Sequence, residues 1–167
     1  MVRVASGDTS MAPHLHGGDA FLAVPIRSPL RRGDLIVFGQ QDYLVIHRYL
    51  SMARTPDRRP CLRTRGDGRS QFDPPLLPDR VHGRAVALCR GSTWCSLDGW
   101  SARAYARLVA WHDLAWGSAA AVALRVGLGG AVAAADRALL RLLSTALFSL
   151  CHRSIDPPGV ARTRDSV

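Results

Sequence analysis

The chain is 167 residues long, room for one modest core and a small appendage. Its hydrophobic content of 47% is ordinary and excludes a wholly disordered chain. The net charge is +9 and all 22 basic residues are arginine, a balance that points either to an anionic surface or simply to arginine used as the solvated cation.

Residues 1–9 hold no apolar stretch of the secretory type, so no signal peptide is expected, and the chain is placed in the cytoplasm or peripherally at a membrane. A turn-forming run follows, Ser10-Met11-Ala12-Pro13 and then Gly18-Asp19. His14 and His16 lie within it and are expected to be exposed loop residues, with no metal site. Runs rich in β-branched and aromatic residues predict strands over 20–26, 34–38, 43–50, 61–64 and 81–90. Glycine and proline clusters punctuate them, and residues 51–60 read as a mobile polar loop. Many short strands at this spacing predict a mainly β, coiled domain over 1–92.

The pattern changes after Trp100. Tyr105, Leu108, Val109 and His112 recur at helical spacing, with Arg103 and Arg107 opposite, and predict a helix over 101–116. The alanine-rich stretch 118–135 and residues 139–150 continue a helical extension over 93–152, and 153–167 read as a disordered tail. A membrane span is disfavoured, because Arg125 alone costs about 2.5–3.5 kcal/mol at a helix centre. Three roles stay open for 101–150: packing on the β-domain, contact with a helical partner, or peripheral contact with a membrane. Cys61, Cys89, Cys95 and Cys151 show no zinc spacing and read as thiols outside disulfides.

The chemistry-bearing residues come in a fixed order. Ser10 offers a hydroxyl. His47 offers an imidazole on a strand where Tyr43, Val45, His47 and Tyr49 alternate. Asp67 and Asp73 compete to supply a carboxylate. These are the groups that activate a serine for attack on an amide. The chain contains no lysine, and arginine stays protonated at any working pH, so a Ser-Lys dyad is excluded and histidine is left as the base.

The series Ser10-Met11-Ala12-Pro13, Gly18-Asp19, Gly33-Asp34-Leu35-Ile36-Val37-Phe38, Ile46-His47-Arg48 and Gly66-Asp67 with Asp73 beyond resembles the signal peptidase I family and its clan relatives, over about residues 2–90. The resemblance implies the coiled β-fold of signal peptidases and repressor peptidases, with the histidine base of the archaeal and endoplasmic-reticulum branch. It implies a serine endopeptidase that removes a signal or leader peptide from a precursor polypeptide without a cofactor, at small residues. It makes Ser10 the nucleophile and His47 the base, flanked by Met11 and Pro13 of the motif. The relatives end the series in a paired Asp-Asp. Phe72 takes the first place and Asp73 the second, which makes Asp73 the orienting carboxylate and leaves Asp67 to brace its turn.

One departure bears on activity. The family reads Ser-Gly-Ser-Met, in which the side chain two before the nucleophile donates to the oxyanion. Here the residues are Asp8-Thr9-Ser10-Met11. An ionised Asp8 cannot donate, so either Thr9 supplies the hydroxyl or the turn shifts so that Gly7 takes the place of the family's glycine. A catalytically impaired, peptide-binding scaffold of the same fold is therefore the alternative reading. A self-cleaving repressor-like regulator ranks third, because the chain lacks both a lysine base and an amino-terminal DNA-binding domain. Nucleic acid is not expected as a partner.

Overall fold

In the computed structural model, residues 1–125 are described except 4, 6, 41, 42 and 70, together with residues 135, 138, 139 and 142. Seven strands form one antiparallel sheet among these residues: β1 (Val2–Arg3), β2 (Ala20–Val24), β3 (Leu35–Gln40), β4 (Tyr43–Arg54), β5 (Pro60–Arg65), β6 (Val81–Arg90) and β7 (Thr93–Ser96). The order is β1-β2-β6-β3-β4-β5, with β7 also paired to β6. One long helix, α1 (Trp100–Arg125), follows. The fold is mainly β, as expected.

The central strand explains the arrangement. Leu35-Ile36-Val37-Phe38 in β3 is an unbroken apolar run rather than an alternating one because both its faces are covered. Leu35 and Val37 enter a cluster with Met11, Leu15, Phe21, Ile46 and Leu88. Ile36 and Phe38 enter a second, with Tyr49, Leu62 and Leu76. The first half of β6 pairs with β3 and its second half with β7, while β2 runs along the other edge. Register shifts between Leu22 and Ala23 and between Val37 and Phe38 let the strands bend.

Residues 51–60 differ from expectation. β4 runs on to Arg54 and β5 starts at Pro60, so the supposed loop is mostly a hairpin. Its turn is closed by Thr55, whose N–H donates to the Arg59 carbonyl at 2.9 Å and whose hydroxyl accepts from the Arg59 N–H at 3.0 Å. The polar composition belongs to an edge hairpin that faces water, where a strand needs no apolar side chains. β7 corrects the expected start of the helical extension at 93: residues 93–96 form a strand paired to β6, and the helix begins only at Trp100, because four residues carry too little pattern to mark a strand.

The expected helix over 101–116 forms and continues to Arg125 through alanine-rich sequence that favours helix. Its buried side, Ala102, Val109, Ala110 and Asp113, packs on the sheet. Gly33 permits the approach: its φ is +97°, and a Cβ there would lie 2.5 Å from the Ala106 carbonyl carbon. Asp113 pairs with Arg65 of β5 in the interior. Asp98 receives Arg84 and Arg103, which ties the start of α1 to β6. One side of this part of the extension therefore packs within the chain. The helices expected farther on, to residue 152, and the tail 153–167 lie outside the described residues, apart from the four isolated positions. No described helix is long and apolar enough to cross a membrane. Cys61 and Cys95 are buried, Cys89 is half-buried, and no disulfide joins them.

Candidate active site

Ser10 sits in a tight turn fixed by its neighbour. Met11 is 2% exposed and belongs to the first apolar cluster, so burying its side chain sets the position of the backbone beside it. The carbonyl of Met11 accepts from the N–H groups of His14 and Leu15 at 2.9 and 3.0 Å. Pro13, half-buried, follows Ala12 through a cis peptide bond. A second turn, residues 66–68, clasps this one. The Gly68 N–H donates to the Ser10 carbonyl at 2.8 Å, and the Asp67 N–H points to the Met11 sulfur at 3.5 Å. Gly66 has no room for a side chain, since a Cβ would meet the Ser10 carbonyl and lie 2.8 Å from His47 Nε2.

His47 projects from β4 and is buried, with its ring edge-on to Phe38 at a centroid distance of 5.9 Å. Its Nδ1 lies 2.7 Å from Asp73 Oδ2. The same oxygen accepts the Thr64 hydroxyl at 2.7 Å, and the Asp73 N–H donates to the Thr64 carbonyl at 2.9 Å. Asp73 is therefore held by β5 from two sides. With Nδ1 committed to the carboxylate, Nε2 is the nitrogen left for a substrate or nucleophile. Among the described residues nothing hydrogen-bonds Nε2, Ser10 Oγ included.

Asp67 stands apart from this group. It is 2% exposed, and both its oxygens accept from Arg48, at 2.8 Å to Nε and 2.6 Å to Nη2. His14 Nδ1 lies 2.8 Å from Asp67 Oδ2. Burial opposes ionisation of Asp67, but the Arg48 guanidinium and His14 outweigh it and hold the carboxyl well below the usual carboxylate range. Arg48 also donates to the Gly33 carbonyl at 2.8 Å, so one guanidinium links the 66–68 turn to the turn under α1. The expectation of an exposed His14 is corrected here. It is 5% exposed, paired with Asp67 and 5.1 Å from the Tyr105 ring. The turn folds back on itself, which a residue-by-residue reading of a polar loop does not reveal. His16 is exposed, as expected.

Ser10, His47 and Asp73 come from a loop, a strand and a second loop, and they line one cavity of about 620 Å³. Asp8, Tyr43, Phe72 and Arg69 also stand on its walls. Thr9 is exposed and is not among the described residues that line the cavity. Asp8 Oδ1 accepts the Ser10 N–H at 2.8 Å. The backbone donor best placed to meet charge on a carbonyl attacked by Ser10 is thus already bonded to a carboxylate. Phe72, in the first of the paired positions, is partly exposed and lies under the Arg63 guanidinium at 5.3 Å. Among the described residues no three His, Cys or Asp side chains converge as a metal site.

Thr64, Arg48 and His14 escaped the sequence reading as parts of the site. Thr64 has only its alternation on a strand to mark it. Arg48 carried a signal, since it directly follows His47. Comparison with protein-family models, curated proteins and solved structures finds no match for this chain.

Proposed function

We propose that the chain is a serine endopeptidase, signal-peptidase-like, that cuts a leader or signal segment from a precursor polypeptide. The observation that carries this is the convergence of Ser10, His47 and Asp73 on one cavity, with His47 Nδ1 2.7 Å from Asp73 Oδ2. In the reaction, Ser10 Oγ attacks the scissile carbonyl carbon while His47 Nε2 takes the hydroxyl proton. Asp73 orients the imidazole and stabilises its protonated form. The tetrahedral intermediate collapses as the C–N bond breaks and His47 returns the proton to the leaving amine. Water, activated by the same imidazole, then releases the acyl group from Ser10. Arginine cannot perform the proton transfers, and the chain contains no lysine.

The Asp8 contact favours a second reading, a peptide-binding scaffold that does not turn over. One experiment separates the two. Peptides carrying a small residue at the cleavage point are incubated with the full chain, quenched in acid and mapped by mass spectrometry. An acyl adduct on Ser10 with free amine product is the result expected of the peptidase. Peptide retained intact, with no adduct, belongs to the scaffold.

A further inference from the structure

The outward side of α1 carries large apolar groups that are mostly exposed. Trp100 is 85% exposed, Leu108 51% and Trp111 61%. With the exposed Ala104 and Ala115 they fall on one stripe of the helix, and Arg107 lies along its edge. The only acidic residue between positions 100 and 115 is Asp113, buried on Arg65 at the opposite side. The Arg32 guanidinium stacks 4.3 Å over the Trp111 ring. Beside the stripe, a groove of about 470 Å³ separates α1 from β4. Leu30, Tyr49, Met52 and Trp111 line it with Arg32 and Arg107, and no carboxylate is among its described lining.

We propose that this face docks on a bilayer surface rich in anionic phospholipid. Trp100, Leu108 and Trp111 enter the boundary between headgroups and acyl chains, where tryptophan is favoured, and Arg32 and Arg107 meet lipid phosphates. Charge complementarity selects this occupant. The chain's own residues 126–167 carry five arginines against three aspartates, so laying them here opposes like charges. A second copy would bring the same arginines face to face. The proposal does not depend on the peptidase reading, since none of these residues lines the cavity that holds Ser10.

The test is co-sedimentation of the full chain with vesicles of phosphatidylcholine alone or mixed with phosphatidylglycerol. Binding is expected only with the anionic lipid, and it weakens on going from 0.1 to 1 M salt as the screening length falls from about 10 to about 3 Å. Arg107→Gln is expected to lower affinity about fivefold, and Arg32→Gln with Arg107→Gln about 25-fold, at roughly 1 kcal/mol per surface arginine. Arg32 also donates to the Leu50 carbonyl, so Trp100→Gln with Leu108→Gln provides a second variant, at positions that face outward. Wild-type binding by both sets of variants would assign the contact to residues 126–167 and overturn the proposal. Equal binding to both kinds of vesicle, or binding to neither, would also overturn it.

Discussion

His47 Nδ1 and Thr64 Oγ1 share a single oxygen of Asp73, each at 2.7 Å. The carboxylate that orients the imidazole is thus itself oriented by a fully buried hydroxyl on β5. Thr64→Val keeps the shape and removes one of the two hydrogen bonds. A net hydrogen bond is worth about 1 kcal/mol, so kcat is expected to fall about fivefold to tenfold with KM unchanged. Asp73→Asn, which favours the wrong imidazole tautomer, is expected to cost on the order of 10⁴. Steady-state kinetics of the two variants check this, and a change in KM alone for Thr64→Val would place the threonine in substrate binding instead.

Asp67 makes a stability prediction with a definite sign. Its folded carboxyl titrates well below the usual range because Arg48 and His14 outweigh the cost of burial. A depressed carboxylate stabilises the fold fully above its unfolded value of about 3.9, and that stability is lost as the pH falls below this towards the folded value. Asp67→Asn leaves Arg48 uncompensated and is expected to cost about 3–5 kcal/mol near neutral pH. Denaturant unfolding from about pH 7 down to about pH 2 is the measurement, since the linkage acts on acid loss. The variant should lose less stability than wild type below about pH 4. Parallel curves would mean that the pair does not set acid stability.

Asp8 presents the opposite case, a residue whose removal should help. Its carboxylate holds the Ser10 N–H at 2.8 Å, where that donor cannot serve a developing oxyanion. A single oxyanion donor is worth about 10²–10³ in rate. Asp8→Ala frees it, and kcat is expected to rise about tenfold or more. A lower kcat in this variant would show instead that the Asp8 contact holds Ser10 in its productive position.

Strands β2 to β6 were legible because their apolar runs are strong and the turns between them are rich in glycine and proline, whereas the short β1 and β7 were not. The ends were less so: β4 extends to Arg54 because an exposed hairpin edge looks like a loop in composition. The three groups of the site could be named because each sits in a recognisable local motif. Their supports could not. His14 and Thr64 matter through contacts with residues far along the chain, and a buried ion pair such as Arg65–Asp113 leaves no periodic trace. Asp8 was visible as a departure, yet its hydrogen bond to Ser10 is a property of the folded turn.

The most direct test of the central claim is kcat/KM of the full chain, with Ser10→Ala and His47→Ala beside it, on an extended peptide with alanine at the cleavage point. Wild type is expected to cut it. Both variants should fall by at least about 10³-fold, to similar levels, because members of such a group act as a unit. Cleavage by Ser10→Ala at the wild-type rate would contradict the assignment of Ser10 as the nucleophile and, with it, the peptidase mechanism.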